Sequence, residues 1–169
     1  MKSLFSAYGT SGVTRLALYT SGTENVVWHK GIDSQTGASF GTSANTYTEG
    51  GSYITLKIVN EPIGFITSEL ATVTNTHVDI TGYKRVMIDW EVISAGTFAL
   101  IVDDTKNGDI DNFNAKVTYG AGTGRKTSSL AINSLGVDNY HIRVNAYATT
   151  TGPNTETIEI RVHKVWLEK

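Results

Sequence analysis

The chain has 169 residues, a formal net charge of −2 and no cysteine, so one domain with an ordinary hydrophobic core needs no disulfide to hold it. The near balance of 14 Lys+Arg against 16 Asp+Glu excludes a basic nucleic-acid footprint, and the missing Cys excludes thiol chemistry and Cys-zinc sites. Charged residues make up only 18%, against about 25% in an average domain, while Thr, Val and Ile contribute 24, 14 and 14 residues. Such β-branched content with 17 Gly and two Pro is a strand-former's composition.

In chain order, residues 1–13 contain no periodic run and read as an N-terminal connector before a single domain over 14–169. The apolar residues of MKSLFSAYGTSG are broken too early for a secretory leader. Thr14 to Tyr19 is short and ambiguous. Period two then dominates. Ile54, Leu56 and Ile58 share one face, as do Val86, Ile88, Trp90 and Val92, with Asp89 and Glu91 opposite. Phe98, Leu100 and Val102 repeat the pattern within the longest apolar run, followed by Phe113, Ala115, Val117 and Tyr119. Ile142, Val144 and Ala146 alternate with His141, Arg143, Asn145 and Tyr147. In the last segment Ile158, Ile160 and Val162 face inward, the phase slips at His163-Lys164, and Val165 and Leu167 resume it, as a β-bulge would require. Gly-rich turns separate the runs, and no window sustains helical spacing. About eight to ten strands with one wet and one buried face predict an all-β fold, an antiparallel β-sandwich of jelly-roll kind.

Three stretches invite chemical readings. Residues Asp103 to Asn114 match a calcium loop at Asp103, Asn107, Gly108 and Ile110, but Asn114 stands where the bidentate Glu belongs. Asp103, Asp104, Asp109 and Asp111 are therefore the candidate Ca²⁺ ligands, and the same stretch also reads as a polar turn tipped by Asn107-Gly108. No other cofactor is implied. Gly120 to Thr127 imitates a phosphate loop, but Arg125 occupies the place of the required Gly and a strand follows instead of a helix, so a hairpin loop is expected. Asp89 and Glu91 share a strand face, which a solvated surface explains as well as an acid pair does. The four His show no metal-ligand spacing and no nucleophile elbow exists, so a non-enzymatic chain is expected. Sugars bind through ring stacking and hydrogen bonds. On that basis His141, Arg143, Asn145 and Tyr147, a row on one strand face, with Trp28, are the candidate carbohydrate-binding residues.

The order of segments carries a resemblance. LYTSG, Val27-Trp28, GSYITLKI, Asp79-Ile-Thr-Gly-Tyr83 running into Asp89-Trp-Glu91, FALIVDDTKNGD, YHIRVNAY and the closing Val162 to Glu168 (VHKVWLE) succeed one another over nine-tenths of the chain. This resembles the β-sandwich domain that ends tail, baseplate or fibre proteins of phages and prophages of Gram-positive bacteria. The resemblance implies a virion module, assembled without a signal peptide, that adheres to host cell-wall polysaccharide. It also implies a homo-oligomer, trimers being favoured, contacts with other tail proteins, and no nucleic acid or membrane partner. A purely structural capping domain and a calcium-dependent binding sandwich are the alternatives. The shared motifs are turn and strand signatures, so no catalytic residue transfers.

Overall fold

The computed structural model describes residues 14–20, 28–33, 46–49, 53–60, 66–74, 77–94, 97–103, 113–119, 122–136, 139–150 and 156–169, with side chains described over 14–19, 53–57, 77–94, 98–103, 113–119, 122–136, 139–144 and 157–169. These residues form twelve strands: β1 (Arg15–Thr20), β2 (Trp28–Asp33), β3 (Thr46–Glu49), β4 (Ile54–Asn60), β5 (Ile66–Thr74), β6 (Val78–Asp79), β7 (Arg85–Ser94), β8 (Thr97–Asp103), β9 (Ala115–Tyr119), β10 (Gly124–Ala131), β11 (Asn139–Thr150) and β12 (Glu156–Glu168). The expected N-terminal connector lies outside the described residues.

Two antiparallel sheets face each other. The first runs β10-β7-β12-β4-β3, with β1 also on β12; the second runs β2-β5-β11-β8-β9, with β6 also on β11. All pairings within them are antiparallel. The alternation read from sequence builds the core between them. From the first sheet come Val86, Ile88, Trp90 and Val92, Ile54 and Leu56, and Ile158, Ile160 and Val162. The second supplies Phe98, Leu100, Val102, Ile142 and Val144. Trp90 is buried, its ring centroid 3.7 Å from that of Phe98, and its indole N–H donates to Ser128 Oγ at 2.9 Å. This satisfies the one polar atom the ring takes into the core.

The phase slip is real. Val162 pairs with Trp90 and Lys164 with Asp89, leaving His163 as the extra residue of a β-bulge. Val165 and Leu167 return to the core, fully buried. Asp79-Ile-Thr-Gly-Tyr83 forms the turn that enters β7: Tyr83 N–H donates to Ile80 C=O at 3.0 Å, and Thr81 N–H to the Asp79 carboxylate at 2.8 Å. Gly82 has φ of 75°, a left-handed conformation glycine adopts without a Cβ penalty.

Thr14 to Tyr19, ambiguous in sequence, overlaps β1. Two expectations need correction, the first being the strand number: twelve are described where about eight to ten are expected. Gly120 to Thr127 is no hairpin: β9 pairs with β8 in one sheet and β10 with β7 in the other, so this connection carries the chain across the sandwich edge. The Tyr119 hydroxyl donates to Ser129 C=O at 2.8 Å and ties the two edge strands together.

Candidate functional site

The row expected to bind sugar lies on the second sheet, on the side away from the core. Register sets His141 opposite Asp103 and Arg143 opposite Ile101, so these four share a face. That face is not wet here. Asp103 and Arg143 have no exposure, His141 is 6% exposed, and Ala99 and Ile101 are sealed as well. Sequence alternation places His141 and Arg143 on a solvated surface; the structure buries both. The reason is visible in β8, whose Phe98 to Val102 run is apolar at every position, the mark of a strand covered on both faces.

Burying a guanidinium demands a partner. Arg143 Nη2 stands 2.9 Å from Asp103 Oδ2, a diagonal contact between β11 and β8. Asp103, a candidate calcium ligand, therefore already has a cation beside it. The His77 ring lies over His141, with centroids 4.2 Å apart, and His77 is exposed. Asn145 and Tyr147 continue β11 opposite Ala99 and Thr97, and Trp28 begins β2 opposite Thr74; their side chains lie outside the described residues. Asp104, Asp109 and Asp111 also lie outside the described residues.

Toward the edge the same face opens. In β9, Lys116 pairs with Ile101 and Thr118 with Ala99, continuing the rows of Arg143 and Asn145 outward. Thr118 is exposed. Phe113, just before β9, is 41% exposed, and Lys116 Nζ stands 4.4 Å from its ring centroid. An exposed aromatic ring beside an ammonium, with an exposed threonine further along the same strand, offers a stacking surface and hydrogen-bond donors. Sequence alternation assigns Phe113 to an inward repeat and gives Lys116 no role. Phe113 and Asn114 continue the apolar–polar alternation in phase, so the sequence carries no signal that β9 begins only at Ala115.

The outer face of the first sheet is different in kind. Asp89 takes a bidentate contact from Arg125, at 2.7 and 3.0 Å, which raises the Arg125 pKa through that hydrogen bond and the charge of the carboxylate. Glu91 faces Arg161 and His163 Nε2, each at 3.6 Å. Arg161 lies over the Tyr53 ring at 4.7 Å, and Glu168 bridges Arg15 and Arg85 at 3.1 and 3.0 Å. Asp89 and Glu91 thus each have a cation from a neighbouring strand and belong to a charge lattice on an open face. A glycosidase pair needs two carboxyls flanking a bond in a closed site, and these two instead engage the cations of neighbouring strands. Among the described residues no group of three or more His, Asp or Glu could hold a metal.

No protein-family model matches the chain, and no curated protein matches its sequence. Solved structures do. The chain is similar to a family 11 carbohydrate-binding module from a cellulosomal cellulase of Clostridium thermocellum, with TM-score 0.55 and 12% identity, over 94% of this chain and 95% of that one. A family 29 carbohydrate-binding module matches with TM-score 0.51 and 9% identity, over 92% and 91%. A module described by its specific mannan recognition matches with TM-score 0.51 and 10% identity, over 99% of both chains. The fold is that of these jelly-roll β-sandwiches. The glycoside hydrolase domain of Endo-D from Streptococcus pneumoniae also matches, with TM-score 0.53 and 11% identity, over 83% of this chain but 21% of the hydrolase.

Proposed function

We propose that this chain is a non-catalytic carbohydrate-binding sandwich of a phage tail, baseplate or fibre, and that it adheres to cell-wall polysaccharide of a Gram-positive host. The observation that carries the carbohydrate reading is the likeness, over nearly the full length of both chains, to modules named for binding carbohydrate. The open edge of the second sheet supplies a place for it, with Phe113 for stacking and Lys116 and Thr118 for hydroxyl groups. The virion setting rests on the segment order and motifs of the sequence. Repeated copies in an oligomer would make a shallow site sufficient, because linked weak sites gain 10²–10⁴ in avidity as an order of magnitude.

The test is retention of the assembled protein on insoluble Gram-positive cell-wall polysaccharide, with a glycan array beside it. Wild type is expected to bind, and Phe113→Ala and Lys116→Ala to bind at least tenfold more weakly with unchanged melting temperature. Failure of the wild type on every glycan and cell wall overturns the reading. Undiminished binding by both variants moves the site elsewhere.

A further inference from the structure

We infer that one end of the sandwich holds a second carbohydrate site, a pocket for a single pyranose ring between the turn before β7 and the turn after β10. The choice of a sugar as ligand rests on the carbohydrate reading above; the cavity shares no residue with the sheet-edge site. It measures about 260 Å³ and is walled by Ile80 to Lys84 on one side and by Ile132, Asn133, Leu135 and Gly136 on the other. A drug-sized site begins near about 300 Å³, so this volume suits one ring and not an extended chain.

Its walls are fixed. The first turn closes through Tyr83 N–H to Ile80 C=O at 3.0 Å and the second through Leu135 N–H to Ile132 C=O at 3.0 Å. Ile132 N–H donates to Lys84 C=O at 2.9 Å, joining the turns, and Lys84 N–H donates to Glu168 C=O at 2.9 Å, anchoring both to β12. A ligand entering here orders little of the protein, which lowers the cost of binding a small molecule.

The lining has the two chemistries a pyranose needs. Ile80 and Ile132 are buried, and Tyr83 and Leu135 half-buried, giving an apolar surface for the C–H face of a ring. Thr81, Asn133 and Lys84 are exposed at the rim. A hydroxyl, an amide and an ammonium together donate to and accept from sugar hydroxyls in any orientation. The Lys169 ammonium stands 5.4 Å from the Tyr83 ring centroid, a cation–π contact that steadies the ring. Gly82 and Gly136 leave the two lips bare: a Cβ at either would meet nothing within 4 Å. A ring presented as a chain end or side branch fits this geometry.

The test is amide NMR of the full isotope-labelled chain, titrated with methyl glycosides of glucose, galactose, rhamnose and N-acetylglucosamine into the tens of millimolar. At least one is expected to give saturable shifts at Thr81 to Lys84 and Asn133 to Gly136. Asn133→Ala and Gly136→Trp, a bulky side chain placed on the lip, are expected to weaken that binding at least tenfold. Phe113→Ala is expected to spare these shifts while reducing retention on polysaccharide. Silence of the pocket amides with every glycoside, while polysaccharide binding through Phe113 persists, overturns the pocket alone. Pocket shifts with polysaccharide retention indifferent to Phe113→Ala support the pocket and overturn the sheet-edge site. No binding in either assay overturns both.

Discussion

Arg143 of β11 and Asp103 of β8 form an ion pair of 2.9 Å with neither side chain exposed to solvent. Two charges taken out of water stabilise each other, so removing one removes that attraction while the other charge stays buried. Asp103→Ala is expected to lower unfolding free energy by about 3–5 kcal/mol, the usual cost of breaking a buried pair. Replacing both, Asp103→Leu with Arg143→Met, is expected to recover most of that loss. Urea unfolding of Asp103→Leu, Arg143→Met and the double variant, beside Asp103→Ala, measures it. Additive losses would mean the pair is not coupled.

The bulge in β12 leads to a less intuitive expectation. Because Val162 pairs with Trp90 and Lys164 with Asp89, deleting His163 joins two stretches of ladder already in register with β7. Val165 and Leu167 then keep their inward orientation. The His163 deletion is expected to fold, at a cost within about 0.5–3 kcal/mol, the range of ordinary single changes. The cost includes the edge contact of His163 with Tyr53, at 5.5 Å between ring centroids. Deleting Val165 instead turns Trp166 inward and Leu167 outward, since a one-residue shift exchanges faces. That chain is expected to be insoluble or unfolded. Circular dichroism and thermal melts of the two deletions decide it.

These two cases show what a sequence can display. The bulge was legible because large apolar residues at 158, 160, 162, 165 and 167 leave no other way to keep one face dry. Trp90 and its neighbours in β7 were legible for the same reason. Strands β2, β3 and β5 lack such runs: WHKGID and TYTE hold too few apolar residues to show a face. The Asp103–Arg143 pair was hidden because it depends on β8 lying beside β11, an adjacency that alternation does not encode. The unbroken apolar run through Ala99 and Ile101 carries the mark of a strand buried on both sides, but not which neighbour shares that burial, so alternation alone leaves His141 and Arg143 on a solvated face. The end pocket joins two turns about fifty residues apart in sequence, so no local pattern shows it.

The turn into β7 separates two glycines of different character. Gly82 has φ of 75°, so Gly82→Ala is expected to cost about 1–2 kcal/mol, the penalty of a left-handed conformation for a residue with Cβ. At Gly136 a methyl group would meet open space, and the backbone there is not left-handed. Gly136→Ala is expected to be neutral or to stabilise by about 0.4–1 kcal/mol through the unfolded chain. Parallel denaturant titrations compare them.

Acid should loosen the same turn. The hydrogen bonds from Thr81, side chain and backbone, lower the Asp79 pKa below its ordinary value. A depressed carboxylate contributes stability that is present above its unfolded pKa, near about 3.9, and is lost as pH falls through the folded value. The difference in melting temperature between wild type and Asp79→Asn is therefore expected to shrink toward zero as pH drops below about 4. A difference that stays constant down to acid would mean the bond from Thr81 does not depend on the charge.

At the alkaline end Tyr119 and Tyr83 act together. Burial is the main cause that raises the Tyr119 pKa, opposed by its hydrogen bonds with Ser128 and Ser129. Burial also raises Tyr83, with the Asp79 charge adding to it. For a group whose folded pKa is raised, the stabilising contribution is complete below the unfolded value, about 10 for tyrosine. It is lost as pH climbs through the folded value, because the folded chain then holds the proton more tightly than the unfolded one. Wild type is expected to lose stability progressively above about pH 10. Tyr119→Phe is expected to flatten that decline, at a cost of about 1 kcal/mol at neutral pH for the lost hydrogen bond to Ser129. Adding Tyr83→Phe should flatten it further. Chemical denaturation between neutral pH and pH about 11 reads both effects, and an alkaline slope untouched by either substitution would show that other groups set it.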